Sequence, residues 1–501
     1  MKKKLVYPLL TCLSLFVGSC GRNFLDINQV DRLTGNNYWT SRRDVEQFVG
    51  GIYSTLRQAT MQNIFFPATG DFRCAPIMRT SSSSDPGRDY LTLLRTNNIN
   101  GIFARGQDFS YFGFTRITEW NTFYQMVQHA NILYARLESS NLPFLSASEV
   151  NRYKAEAVFL RALAYFLMVR VYGDVPYYTD VNTNPLPRTN MLTVLQHISA
   201  DLDAHAEFLP WTFSDPSIVA VRAMRGSALV LNMHANMWLA GFTDQDKTPY
   251  YDKVAALGQQ LMEENNNAYS LLPLSRTREI FKGRTSEGLF EIVQNLNFGE
   301  TFSLTAAFSD YVLRFPNKTT RVSYLYYQRE FFERLYPPQG QDLRKTFWFD
   351  EHIYNTAGQM QCLKFLNVFR EIGEDANPDD NQMVFRYADA ILLRAEALAE
   401  LNRDAEARAV VNVIRRRAAA AEITESGNEL KDAIWWERAR ELFGEGNFYY
   451  DLVRTGKVID VAYTLAPMSV SAYRNGGWTW PISASALANN PFMRLNTYWT
   501  N

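Results

Sequence analysis

The chain has 501 residues, with 51 Lys+Arg against 52 Asp+Glu and a formal net charge of -1. That balance gives no reason to expect a nucleic-acid partner, and 47% hydrophobic with 21% charged residues argues against wholesale disorder. Four Cys and five His leave no basis for a disulfide scaffold or a multi-zinc array, whereas 14% aromatic residues exceed what a core alone requires.

Residues 1–20 read MKKKLVYPLLTCLSLFVGSC. Lys2, Lys3 and Lys4 form a basic start, and the 13 mostly apolar residues Leu5 to Val17 are too few for a permanent membrane span. Gly18 and Ser19 then precede Cys20. This order resembles a bacterial lipoprotein signal, with residues 1–19 removed and the Cys20 thiol acylated as a lipid anchor. Acyl chains hold a membrane by burying CH2 groups, and stable attachment takes more than one chain. The leader takes three Lys and no acid with it, which moves the net charge to -4. Cys74 and Cys362 remain, and a bridge between them is open. No later stretch has 18 unbroken apolar residues, so a water-soluble body tethered to a membrane is expected.

Helical periodicity follows. Val45, Phe48, Val49, Ile52, Tyr53 and Leu56 recur at helical spacing behind Ser41 and Asp44, which suit a cap. A second stripe runs from Trp120 to Tyr134. A third runs from Tyr153 to Val171, with Ser148 as its cap and Gly173 and Pro176 as its stop. Further helices are predicted over 192–209, 222–240, 251–264, 384–402, 404–420 and 429–445. Ala388, Ala395 and Ala397 on one helix and Ala405, Ala407 and Ala409 on the next suit close helix pairs, although no clean 34-residue repeat emerges. The helical scaffold thus covers about 36–60, 117–264 and 384–457. Two irregular, aromatic-rich excursions cover about 61–116 and 265–383, with a strand-like piece at Leu289–Val293. Long excursions of this kind usually carry function.

Five long segments carry a family resemblance. YKAEAVFLRALAYFLMVRVYGDVPYYT (Tyr153 to Thr179), FRYADAILLRAEALAELN (Phe385 to Asn402) and VNVIRRRA (Val411 to Ala418) resemble signatures of the SusD/RagB family of nutrient-binding lipoproteins. So do IWWERARELFGEGNFYYDLVRTGK (Ile434 to Lys457) and WTWPISASALANNPFMRLN (Trp478 to Asn496), in the same order, with Phe24-Leu25-Asp26 near the mature start. Departures fall at Asn447-Phe448, Thr455, Ser483 and Thr497-Tyr498-Trp499, and concern local packing. The resemblance implies a single mainly α domain over 20–501. Its scaffold is of tetratricopeptide-like helix-turn-helix pairs, with a loop-rich ligand-binding subdomain and little β. It also implies an outer-membrane, surface-facing lipoprotein that captures an oligosaccharide. Such a protein delivers its ligand to a SusC-like TonB-dependent transporter, acting as its lid. No cofactor, metal, nucleic acid or catalysis is implied. Peptide import, surface glycoside hydrolysis and a purely structural adaptor are the rival readings.

Several constellations invite chemistry. On Trp435-Trp436-Glu437-Arg438-Ala439-Arg440-Glu441, Glu437 with Arg440 and Arg438 with Glu441 are spaced to pair. Glu441 and Glu445 share a face, but glycosidase carboxyls oppose each other across a cleft, so a structural ion network is expected. The five histidines show no metal spacing, and the acidic run Glu371 to Asp380 lacks an EF-hand pattern. Gly444-Glu445-Gly446 is too short to cradle phosphate and suits a helix end. Sugars offer apolar faces and hydroxyl edges, which aromatic shelves with polar neighbours can hold. Phe72, Tyr90, Tyr111, Tyr324, Tyr326 and Trp348 in the excursions are therefore the expected stackers, with Asp71, Arg73 and Arg344 as polar partners. Trp120, Trp435, Trp436 and Trp480 lie in helical stripes or shared motifs and are read as core.

Overall fold

Helices dominate because the apolar stripes demand a partner surface. The computed structural model describes residues 38–80, 86–106, 112–139, 141–181, 184–294, 306–317, 323–356, 358–369, 377–488 and 490–500. The leader, Cys20, Phe24 to Asp26 and Tyr111 lie outside the described residues, as does most of the acidic run before Asp379. The chain divides into two compact units, Met1–Phe48 and Val49–Asn501.

In the first unit, Tyr38 and Trp39 pack edge to face at 5.0 Å between ring centroids. Helix α1 (Arg42–Met61) starts here. The Asp44 carboxylate accepts from the Ser41 backbone N–H (2.7 Å) and the Thr40 N–H (2.9 Å), the acidic half of a capping box. Those hydrogen bonds, with the Thr40 hydroxyl first, hold the Asp44 carboxyl below its ordinary range.

The second unit contains α2 (Asn121–Ser139), α3 (Ala147–Tyr172), α4 (Met191–His205), α5 (Arg225–Phe242) and α6 (Thr248–Glu263). It continues with α7 (Tyr387–Glu400), α8 (Asp404–Arg417) and α9 (Gly427–Glu441). From α2 to α8 each helix packs on the next, and α9 packs on α7 and α8. The stack passes from α6 to α7 across the whole second excursion, so that excursion is an insertion into a continuous helical frame. The scaffold is thus mainly α, as expected, at 56% helix and 6% strand.

Helix α3 is buried on every face from Ala155 to Tyr172. Its cap is Ser146, not Ser148: Ser146 and Glu149 form a reciprocal capping box, because Glu149 stands three residues after Ser146. Two arginines inside α3 are neutralised or stacked. Arg161 pairs with Asp201 at 2.9 Å, and Arg170 lies over the Phe166 and Tyr450 rings at 4.6 and 4.1 Å. In the α7–α8 pair, Ala388, Ala395, Ala397 and Ala407 are buried, while Ala405 and Ala409 face outward.

Among the described residues, strands occur as four antiparallel two-stranded ribbons. β1 (Ile77–Arg79) pairs with β3 (Leu325–Tyr327), and β2 (Gly288–Ile292) pairs with β8 (Gln382–Arg386). β4 (Phe349–Tyr354) pairs with β5 (Met360–Cys362), and β6 (Val368–Phe369) with β7 (Asn377–Pro378). β8 occupies residues the periodicity assigned to a helix from 384; its pairing with β2, about 90 residues earlier, overrides local propensity.

A buried ion network fastens the second excursion to the end of α9. Arg344 meets Glu437 at 2.8 Å and Glu441 at 3.2 Å. Lys364 meets Glu445 at 2.7 Å, and Arg386 bridges Glu287, Glu441 and Glu445. Burial alone would raise the Glu437 carboxyl, but Arg344, Arg440 and Arg415 outweigh it and hold it at about 2. Glu437 pairs with Arg440 as expected (3.2 Å), but Arg438 turns instead to Asp389 (2.9 Å) and Asp451 (3.2 Å). Glu441 and Glu445 therefore both serve this network. Cys74 and Cys362 are buried free thiols, each pushed up to about 12 by burial.

Candidate functional site

The structure sorts the expected ligand residues into two groups. Most lie inside. Phe72 is fully buried, packing on Tyr311 at 4.8 Å and Phe308 at 5.7 Å. Tyr90 is buried against Phe112 and Phe114, with its hydroxyl 3.4 Å from that of Tyr311. Trp348 is 1% exposed; its indole N–H donates to Thr277 Oγ1 (3.1 Å), and the Lys364 ammonium covers its ring at 4.2 Å. These rings show no face to solvent, because the excursions carry an aromatic core of their own.

The expected polar partners are buried too. Asp71 is 2% exposed, and one of its oxygens accepts from the Gly446 N–H (2.9 Å). Burial lifts its carboxyl well above the usual range. Arg73 donates to the carbonyls of Trp478 (2.7 Å) and Gly477 (2.6 Å) and to Asn97 Oδ1 (2.6 Å), clamping the C-terminal segment. Arg344 belongs to the ion network. Asp71, Phe72, Arg73, Tyr90, Arg344 and Trp348 are thus corrected from ligand contacts to packing and anchoring residues.

Tyr324 and Tyr326 are different. Strand residues alternate between faces: on and beside β3, Leu325 and Tyr327 are buried, while Tyr324 and Tyr326 are half-buried on the other face. β1 supplies the cross-strand neighbour, since Met78 lies opposite Tyr326. The Met78 sulfur accepts from Arg95 (2.9 Å) and from the Gln328 amide (3.3 Å). The Arg88 guanidinium lies on the Tyr324 ring, 3.4 Å from its centroid. Asp89, just before the Tyr90–Arg95 helix, forms ion pairs with Arg79 and Arg105. On the neighbouring ribbon Tyr354 is half-buried; its hydroxyl donates to the Tyr327 carbonyl (3.2 Å), and Arg329 lies 5.3 Å from its ring centroid.

The result is an outward ribbon of tyrosines with guanidinium, amide and carboxylate groups around it. Flat rings can stack on the apolar face of a ring ligand, and the polar groups can bond its edge. Of the residues expected from the sequence, Tyr324 and Tyr326 lie on this ribbon, whereas Arg88, Met78, Gln328 and Tyr354 were not among them. Two hollows, of about 730 and 640 Å³, lie elsewhere and are lined largely by the α5–α6 junction and the C-terminal motif segments.

The expected core tryptophans Trp120, Trp435, Trp436 and Trp480 are all buried. His197 stacks on Tyr177 at 5.0 Å, and His205 bonds the Tyr134 hydroxyl at 3.2 Å. No group of metal-ligating side chains occurs among the described residues. Nor is any helix among them long and apolar enough to cross a membrane.

Known proteins share this fold. The model of the SusD family matches residues 353–499, and one described as starch-binding and associating with the outer membrane matches residues 90–231. A SusD homolog from Bacteroides thetaiotaomicron is 43% identical, covers 92% of this chain and 100% of its own, and superposes with a TM-score of 0.86. SusD-like protein P38 of Formosa agariphila is 23% identical over 99% of each chain. A laminarin-binding SusD-like protein is 21% identical, covers 91% of this chain and 99% of its own, and has a TM-score of 0.69, sharing the fold. The chain belongs to the SusD family.

Proposed function

We propose that this protein is a cell-surface lipoprotein that captures an oligosaccharide and passes it, unaltered, to a SusC-like TonB-dependent transporter, acting as its lid. The observation that carries the ligand class is the pair Tyr324 and Tyr326, held side by side on the outward face of the β1–β3 ribbon with Arg88 and Gln328 beside them. Family membership supports the reading, as does the starch-binding description of the matching model. A relative with the same fold is named for laminarin binding. Anchoring through acylated Cys20 would keep the site beside the transporter and raise the ligand's effective concentration there.

A pair of half-buried tyrosines suits hand-over, because shallow stacking gives fast release. A peptide ligand is the second reading, favoured by the charged rim of Arg79, Asp89 and Arg105. Calorimetry against panels of neutral oligosaccharides and of peptides separates the two. The proposal expects saccharide binding weakened by Tyr324→Ala or Tyr326→Ala about tenfold, as loss of one aromatic contact of about 1.4 kcal/mol implies. Chromatography of the incubated sugars should show no cleavage. Peptide binding without saccharide binding would overturn it.

A further inference from the structure

A hollow of about 250 Å³ lies away from the ribbon and shares no element with it. Its walls come from the start of α2, the loop that follows α3, and the C-terminal segment. Trp120, Tyr124, Tyr178 and Met493 provide rings and apolar surface, and Asn121 and Ser485 provide polar groups.

The walls are built, not incidental. Tyr124 and Tyr178 stack at 5.9 Å with 15° between their planes, and Trp120 meets Tyr124 edge-on at 5.5 Å. The Tyr124 hydroxyl donates to the Pro176 carbonyl (2.8 Å). The Tyr178 backbone is fixed twice by the Tyr165 hydroxyl, which donates to its carbonyl (2.8 Å) and accepts from its N–H (3.0 Å). Asn490 donates to the Leu186 carbonyl (2.8 Å), tying the C-terminal segment to the loop. The rings are therefore held before any ligand arrives, which lowers the ordering cost of binding.

The chemistry selects the occupant. The residues lining the hollow include no Asp, Glu, Lys, Arg or His; the Arg188 guanidinium lies over the Trp120 ring at 5.4 Å and is held by the Tyr172 and Asp174 carbonyls, so the lining itself favours a neutral ligand. Burial pushes the Tyr178 phenol up to about 12, so it is a neutral hydroxyl that can both donate and accept. That hydroxyl and the exposed Asn121 amide have no hydrogen-bond partner among the described residues. Stacked rings with free neutral hydrogen-bonding groups at their edge match a neutral pyranose better than a plain apolar side chain, which would leave both polar groups unused.

We infer that this hollow is a second saccharide subsite that holds one neutral sugar unit. It rests on the proposed reading of the protein as a carbohydrate binder, and the ribbon and the hollow are separable by experiment. The full-length mature protein is studied by saturation-transfer NMR with glucose, galactose, mannose and xylose at millimolar concentration. Four variants are compared: Tyr324→Ala/Tyr326→Ala, Tyr178→Ala, Asn121→Ala and Tyr178→Phe, each checked for an unchanged melting temperature. The inference expects transfer to at least one sugar that survives the ribbon double change. It expects that transfer to fall about tenfold in Tyr178→Ala and about threefold in Asn121→Ala, as one ring contact and one hydrogen bond would give.

If ribbon changes leave all saccharide binding intact while Tyr178→Ala removes it, the ribbon reading fails and the hollow stands. Transfer that is lost in the ribbon variant and untouched by the Tyr178 and Asn121 changes overturns the hollow alone. Transfer to none of the four sugars overturns it as well. Loss of transporter association in Tyr178→Ala, with saccharide transfer unaffected, would assign the hollow to a protein side chain and also overturn the inference.

Discussion

Glu291 sits on β2 in the wall between the second excursion and the helix stack, and Glu291→Gln isolates the effect of burying its charge. The residue is 1% exposed. One oxygen accepts from Asn381 Nδ2 (2.8 Å) and the Arg284 N–H (2.9 Å), while the other is buried with no partner. Burial raises its carboxyl from 4.5 to about 7, against the weaker opposing pull of those two hydrogen bonds. Below the unfolded value both states hold the proton and the group is silent. As pH rises from about 4.5 to about 7 the unfolded chain ionises first, so stability falls across that window and the loss is complete above it. The gap of about 2.5 pH units, at about 1.36 kcal/mol each, amounts to about 3 kcal/mol. Glutamine copies the protonated side chain and cannot ionise. Urea unfolding at pH 4, 5.5 and 8 should show Glu291→Gln close to the parent at pH 4 and about 3 kcal/mol more stable relative to it at pH 8. Asp71 and Asp380 are also raised by burial, but they are present in both proteins and cancel in the difference. Parallel stability–pH curves for the two proteins would refute the assignment.

Three further expectations follow from the same physics. Trp348→Ala should cost about 3–5 kcal/mol of stability in thermal or urea unfolding, since it empties a packed site, while the folded fraction keeps its ligand affinity. Arg386→Met should cost about 3–5 kcal/mol, because Glu287, Glu441 and Glu445 lose a shared buried partner; an unchanged melt would show that the network is dispensable. Cys20→Ser should move the protein from the membrane pellet to the soluble fraction of expressing cells, and mass spectrometry should find no acyl mass on the amino terminus.

The long helices were readable because each carries a 3.6-residue apolar stripe with a stop signal, as at Gly173 after α3. The α3 cap was misplaced by two residues because Ser146 and Ser148 both precede the stripe, and only Glu149 decides between them. The start of α7 was read too early because Gln382–Arg386 pairs with β2, which local pattern does not report. The ligand residues were harder for a related reason. Phe72, Tyr90 and Trp348 sit in segments that look like loops, and nothing in their neighbours reveals that other rings of the excursions cover them. Arg73 finds its carbonyl partners about 400 residues away. Tyr324 and Tyr326 stand out in the sequence only as aromatics within an excursion; that they share one face of a strand follows from the pairing of β3 with β1, which the local pattern does not report.

The most direct test of the account is the oligosaccharide affinity of the purified mature protein beside its Tyr324→Ala/Tyr326→Ala variant, measured by calorimetry with melting temperature as the folding control. A loss of at least about tenfold is expected, with the melting temperature preserved. A double variant that melts normally and binds the same sugar as tightly as the parent would contradict it.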